Sequence, residues 1–380
     1  MKQSNPMNPK QLKARNTEDK NRAATMLELF YDLIFVVAIA NVAAEFHHAI
    51  ANDHIGHGII SFIMIFCSIW WSWNQYTWFA SAFDNGSSRF RLVTMWQMVG
   101  ALLIAAGVKK GFHNDFTIIV IGYIVIRLSS IYLWLKVASH NPELKVTATR
   151  YAIGILLCQL GWTGLLFMDF SYSIFIVLWL AEFAVPYYAE SHTTSSFHKE
   201  HIEERFSLLT IIVLGESILA SVYSLNKIIE HFSIDLLMVA IGCLLTIFGI
   251  WWLYFNHTVE HRLNEPNVAF QWGYGHLIIF AATAAIGALI SVNVDVITDH
   301  AKISIETANL AFAISVAVLF FGLWFCQERI VSHNKSVFLL LIAALSIALG
   351  FLPNPVFTIG LLIVLTVIYR QYRPLSSNHA

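Results

Sequence analysis

The chain carries ionisable side chains inside apolar runs, where each is costly unless it is paired or hydrated. Glu28 and Asp32 lie one helical turn apart on one face of the first run, ELFYDLIFVVAIA at 28–40. Arg127, Glu182 and Glu216 lie near the middle of three later runs. Because Arg127 neutralises only one acid, Asp32, Glu182 and Glu216 leave negative charge over. Carboxylates in that setting bind or relay a cation or a proton. The competing reading is structural: one ion pair, other carboxyls protonated and hydrogen-bonded, and Glu28 favoured by the positive end of its helix. Ser217 shares a face with Thr210 and Ser221, a pattern that could line a polar path but suits helix packing better. Asn41, Glu45 and His48 form a second polar stripe on the far face of the first run, which predicts a helix inside the bundle rather than against lipid.

Two aromatic clusters, WWSWNQYTWF at 70–79 and WWLYFNH at 251–257, end the second and eighth runs. A belt of Trp and Tyr at the membrane interface accounts for most of them. It does not account for the amide that follows each Trp pair. Trp70, Trp71 and Asn74, with Trp251, Trp252, Asn256, His257 and His276, could wall a cytoplasmic vestibule that hydrogen-bonds a ligand. His257 and His261 have the i, i+4 spacing of a zinc pair, but no third ligand stands at fixed spacing, so no metal is expected. The four cysteines all fall within apolar runs, which predicts packing residues rather than disulfides. No phosphate-binding, dinucleotide or nucleophile-elbow motif is present, and no cofactor is expected.

A membrane is what must position these groups. The chain is 57% hydrophobic and 12% charged, against roughly 25% charged in soluble domains. Runs long enough to cross the hydrocarbon layer fall near 27–50, 58–80, 92–111, 116–138, 150–168, 171–189, 205–224, 234–257, 270–292, 307–326, 336–352 and 355–372. The fold class expected is all-α, a polytopic helical membrane protein of about twelve transmembrane helices. With the N-terminus cytoplasmic, eighteen Lys and Arg residues fall inside and four outside, the asymmetry that orients membrane proteins. Both termini are then cytoplasmic, and the charge balance of −1 leaves no footprint for nucleic acid.

The runs also repeat. Glu28 and Phe30 align with Glu204 and Phe206, Trp71 with Trp252, and Trp134 with Trp324. The organisation expected is a disordered tail at 1–22, a six-helix repeat at 23–190, a linker at 191–202, a second, parallel repeat at 203–373 and a tail at 374–380. Repeats of this kind are common in transporters, whose substrate path lies between the copies.

ELFYDLIFVVAIA (28–40), the Trp pair of the second run, Tyr123–Arg127, HIEERFSLLTIIVLGES (201–217) and YGH (274–276) resemble the bacterial low temperature requirement protein A family. The likeness spans most of residues 23–370. It implies a multispanning inner-membrane protein and supplies no reaction. The family pattern adds His201, Glu204 and Arg205 to Glu28, Asp32, Arg127, Glu216, Ser217 and His276. Leu208 stands where the first copy has Asp32, so any mechanism is asymmetric. Two functions follow. The first is a transporter or channel for a cation, proton or small polar solute, with the path between the repeats. The second is a membrane-embedded enzyme or lipid-handling protein acting on a headgroup or prenyl-phosphate at the cytoplasmic face. Lipid is the partner common to both, and a homo-oligomer stays open.

Overall fold

The computed structural model describes residues 11–15, 22–168, 170–230, 232–256, 263, 265–331 and 336–372, with the side chains of Glu216 and Pro266 excepted. His257 and the His257–His261 pair lie outside the described residues. The described chain is helical and contains no strand. The helices are α1 (Met26–Ala51), α2 (Ile55–Phe83), α3 (Ser88–Gly111), α4 (Thr117–His140), α5 (Lys145–Leu165) and α6 (Tyr172–Glu190). They continue with α7 (Lys199–Glu230), α8 (Ile234–Phe255), α9 (Pro266–Ile297), α10 (Ile305–Val331), α11 (Phe338–Leu349) and α12 (Pro355–Tyr372).

Local chemistry sets the ends. Ser87, Ser233 and Ser304 each accept a backbone N–H of the first turn of α3, α8 and α10 through their hydroxyls. α11 and α12 are joined by a turn in which Asn354 takes φ 52°, a left-handed conformation that asparagine tolerates better than most residues. Among the described residues ten helices are long and apolar enough to cross a membrane. α5 does not meet that measure, and α11, with 12 residues, is too short to span the ~30 Å core upright.

The chain divides into two compact units, Met1–Ala38 with Ser68–Arg205, and Ile39–Cys67 with Phe206–Ala380. In the first unit α3 and α4 approach closely because both contribute glycine. A Cβ on Gly100 would meet the Gly122 carbonyl oxygen at 2.6 Å, and one on Gly122 would meet the Gly100 carbonyl oxygen at 2.5 Å. In the second unit Gly242 of α8 lies against the Val356 backbone of α12, where a Cβ would meet the carbonyl oxygen at 2.4 Å. Small residues at such crossings let membrane helices gain dispersion contact where lipid removes the hydrophobic drive.

The first helix departs from the expectation that it is enclosed on all sides. Phe30, Leu33, Val37 and Asn41 are exposed along one stripe, while Glu28, Tyr31, Asp32 and Phe35 are buried. Only one of its polar faces points inward, and His48 at the far end is also exposed. The N-terminal segment, read from sequence as a tail, is hydrogen-bonded where it is described. The Leu12 and Ala14 amides donate to His140 Nδ1 at 3.0 Å and Asn141 Oδ1 at 3.1 Å.

The helix crossing gives a direct test. Gly122→Leu should lower the thermal midpoint of the detergent-solubilised protein, with a loss of about 1–3 kcal/mol for overpacking a close contact. Gly164→Leu, at a position where an added Cβ meets nothing within 4 Å, should leave it unchanged. Fluorescence-detected size-exclusion after heating reads both. Equal midpoints for the two variants would remove the glycine contact from the account.

Candidate functional site

The first unit gathers its charge where α1, α2 and α7 present polar residues to one another. Thr25 and Glu28 form a capping box at the start of α1: the Thr25 amide and hydroxyl donate to Glu28 Oε2 at 2.8 and 2.9 Å, and the Glu28 amide donates back to Thr25 Oγ1 at 3.3 Å. The other carboxylate oxygen of Glu28 faces two guanidinium groups, with Arg205 Nη1 3.4 Å and Arg22 Nη2 3.7 Å from Oε1. His201 Nε2 lies against both oxygens, 3.2 Å from Oε1 and within hydrogen-bond distance of Oε2 at 3.3 Å. Glu28 therefore serves the helix end and the charge cluster at once.

One turn deeper, Arg205 holds Asp32 in a bidentate grip, Nε to Oδ2 at 3.0 Å and Nη2 to Oδ1 at 2.6 Å. Trp73 Nε1 adds a third donor to Oδ1 at 2.7 Å. Tyr31 and Tyr76 stack at 3.8 Å, and the Arg205 guanidinium lies 5.8 Å from the Tyr76 ring centre. Glu28, His201 and Arg205 are wholly inaccessible, and Asp32 nearly so. This corrects the charge tally. Asp32 does not carry spare negative charge, because Arg205, counted among the cytoplasmic loop cations, is buried against it.

Arg127 of α4 donates through Nη2 to Glu182 Oε2 of α6, and Trp71 Nε1 donates to the same oxygen at 3.1 Å. Trp70, Trp71 and Trp73 are thus core residues, not an interfacial belt. The belt reading fits their counterparts: Trp251 and Trp252 are each about half exposed and face outward. Asn74 is buried and accepts from Trp78 Nε1 at 3.0 Å, whereas the half-buried Asn256 accepts from Gln371 Nε2 at 3.4 Å. Glu204 accepts the Ala24 amide at 2.9 Å, tying the start of α7 to the segment before α1.

Outside the spans, Arg22 closes the end of α2. Its guanidinium donates to the carbonyls of Ser81 and, at 2.7 Å, Ala80, where a helix end is negative. Burial, then repulsion from Arg15, pulls Arg22 down to about 10. Asp84, just past the same helix end, accepts the Gly86 amide at 2.8 Å, and burial pushes its carboxyl above the usual aspartate range.

The second unit holds the remaining predicted groups, of which His276, Trp251, Trp252, Asn256 and Ser217 are described. His276 is inaccessible: its Nδ1 donates to the Trp272 carbonyl at 2.7 Å, so the Tyr254 hydroxyl donates to Nε2 at 2.9 Å. The Trp251 ring lies 5.4 Å from that of Phe255. Ser217 is buried, and its carbonyl accepts the Ser221 hydroxyl at 3.2 Å. Two constellations were not foreseen. Glu328 closes a π turn at Trp324–Glu328 in α10, accepts Arg370 Nη2 at 2.5 Å, and takes the first amides of α11, Phe338 and Leu339, at 3.1 and 3.2 Å. Asp295 accepts from the Tyr223 hydroxyl at 2.6 Å and contacts His47 Nε2 at 2.8 Å. Among the described residues no group of three His, Cys, Asp or Glu is arranged to hold a metal.

A model described as "Bacterial low temperature requirement A protein (LtrA)" matches residues 23–369. The chain is also 25% identical over 299 residues to the uncharacterized protein RA0937 of Rhizobium meliloti (strain 1021), covering 71% of this chain and 70% of that protein. No solved structure matches the chain.

Two measurements test the cluster. Arg205→Gln should cost roughly 3–5 kcal/mol by stranding the buried Asp32 carboxylate, and adding Asp32→Asn should recover most of it. A double variant no more stable than the single one would show that the pair is not the coupling element. Asp84 tests the pH sign. Because its carboxyl titrates higher in the folded state than unfolded, stability is lost as pH rises through that interval. Asp84→Asn should therefore raise the thermal midpoint at neutral pH, the gain fading as pH falls toward the unfolded value of about 3.9. A gain that persists at that low pH would point to packing instead.

Proposed function

Since the chain belongs to the bacterial low temperature requirement A family and is an integral, multi-pass membrane protein, we propose that it transports a small polar or cationic solute in exchange for, or together with, a proton. The observation that carries this reading is the buried contact of His201 with Glu28 beside the Arg205–Asp32 pair. Two carboxylates and the guanidinium groups of Arg22 and Arg205 already balance, so this cluster offers no fixed negative charge for a metal cation. His201 is the member whose ordinary charge change falls near neutral pH. A proton taken up there upsets the balance, and restoring it is the step that moves a second charge.

The architecture proposed with it is twelve spans in two parallel repeats, in the inner membrane, with both termini cytoplasmic. Two internal likenesses favour the duplication. In the first unit Arg127 of α4 pairs with Glu182 of α6; in the second, Glu328 of α10 pairs with Arg370 of α12, the same helices of each repeat with the charges exchanged. Glycine sits at the α3–α4 crossing and again at the α9–α10 crossing, where a Cβ on Gly322 would meet Ile279 at 2.9 Å. α11 is the departure: Glu328 caps it early and shortens it.

Purified protein in liposomes with an entrapped pH dye tests the proposal. An imposed gradient of the transported solute should drive proton movement above that of protein-free vesicles. His201→Gln should reduce it by roughly tenfold or more while the protein still elutes as a folded species. Wild-type flux equal to empty vesicles across a panel of alkali cations, ammonium and amino acids would reject transport. Full flux in the His201 variant would reject the residue assignment.

A further inference from the structure

The first unit also contains a cleft that the charge cluster does not use. It opens at the N-terminal end of α3 and the C-terminal end of α4, and its polar lining is Asn85, Ser87, Arg89, Lys136 and His140. Among the described residues no acidic side chain belongs to that lining. Asp84, next in sequence, is turned inward and buried, its carboxylate accepting the Gly86 amide. Arg89 is exposed and Lys136 half-buried, and neither forms an ion pair with a described residue. The Lys136 ammonium instead lies over the Tyr132 ring at 5.5 Å. His140 accepts the Leu12 amide at Nδ1, so its remaining ring nitrogen is a donor. The Ser87 oxygen accepts the Phe90 amide, which leaves its hydroxyl hydrogen to donate. Among the described residues the cleft therefore has cations and donors and no matching anion.

Its floor and surroundings are apolar. Leu12, Phe90, Leu133 and the Tyr132 ring complete the lining. From Arg89 an exposed stripe continues along α3 through Leu92, Trp96 and Val99; from Lys136 one continues along α4 through Tyr132 and Leu128. Both stripes follow the i, i+3, i+4 spacing of one helix face. A ligand with a phosphate in the cleft could lay hydrocarbon along these faces. A soluble phosphate has no use for them.

We propose that this cleft binds the phosphodiester headgroup of an anionic phospholipid, with Arg89 and Lys136 on the phosphate, Ser87 and His140 as hydrogen-bond donors, and the acyl chains against the exposed faces of α3 and α4. Basic pockets beside membrane helices recognise lipid headgroups in this way. The site is independent of the proton reading, because none of its residues touches the Glu28–His201 cluster.

The test is lipid retention by the full chain. Protein from nanodiscs of phosphatidylcholine doped with phosphatidylglycerol is released into native mass spectrometry, and bound phosphatidylglycerol is titrated. Arg89→Gln with Lys136→Gln should weaken retention about thirtyfold, near fivefold for each charge lost. Arg91→Gln, an exposed arginine outside the lining, should retain lipid as the wild type does. Unchanged retention in the double variant overturns the site, and an equal loss in Arg91→Gln reduces it to general surface attraction. In a second arm inorganic phosphate is added at millimolar concentration. Failure to displace the lipid is the expected result; full displacement assigns the cleft to a soluble phosphate and overturns the lipid assignment.

Discussion

Burying a charge without its partner costs more than most single contacts in a protein contribute, and the described fold is arranged around that constraint. Asp32 with Arg205, Glu182 with Arg127 and Glu328 with Arg370 each join helices distant in sequence. A helix turns about 100° per residue, so a one-residue slip of α7 would carry Arg205 away from both Asp32 and Glu28. Apolar packing alone specifies such a register weakly, because leucine and valine faces interchange at little cost. The ion pairs add a penalty for every wrong register. They need not add net stability to do so.

The indoles complete the pairs. A carboxylate offers about four acceptor directions, and a guanidinium does not fill them. Trp73 supplies the third donor to Asp32, and Trp71 a further donor to Glu182. Two tryptophans two residues apart on α2 thus serve two different ion pairs. The ring brings apolar bulk to the core while its single N–H meets a charge, a combination that lysine or glutamine would not match. This explains why the WWSWN stretch is buried although tryptophan in membrane proteins often marks the interface.

The helical membrane class was legible from composition, and the pairing of Arg127 with an intramembrane acid followed from the cost of leaving it alone. Other features were not legible, for a common reason: sequence gives depth along a helix but not which way the helix faces. Arg205, near the start of α7, reads equally well as an interfacial cation or an inward one, and the tally of basic residues took the first. Trp70–Trp71 and Trp251–Trp252 are the same dipeptide, paired by sequence alignment alone, yet one is enclosed and the other half exposed. The first helix shows the same limit, since Asn41 and His48 suggested a second inward face that the structure turns outward. One signal was overlooked. Thr25-Met26-Leu27-Glu28 is a capping box, and it would have assigned Glu28 a structural role beside its electrostatic one.

The balance of the cluster bears on how the proposed transport would be coupled. If His201 accepts a proton, the group formed by Glu28, Asp32, Arg22 and Arg205 gains one positive charge in a place without water contact. The nearest relief is the Glu28 carboxylate, whose Oε1 and Oε2 lie 3.2 and 3.3 Å from His201 Nε2 and whose Oε1 lies 3.4 Å from Arg205 Nη1. Drawing Glu28 toward a protonated imidazole weakens its hold on Arg205 and leaves Asp32 the main partner of that guanidinium. Glu28 is also the residue that caps α1 through Thr25. Protonation is thereby linked to the helix end itself, through one carboxylate with two sets of partners. Linkage is reciprocal, so a solute that favours the rearranged helix end must raise the proton affinity of His201 by the same factor. A cluster with surplus negative charge would instead hold a cation tightly in every state, and tight uniform binding shifts no equilibrium.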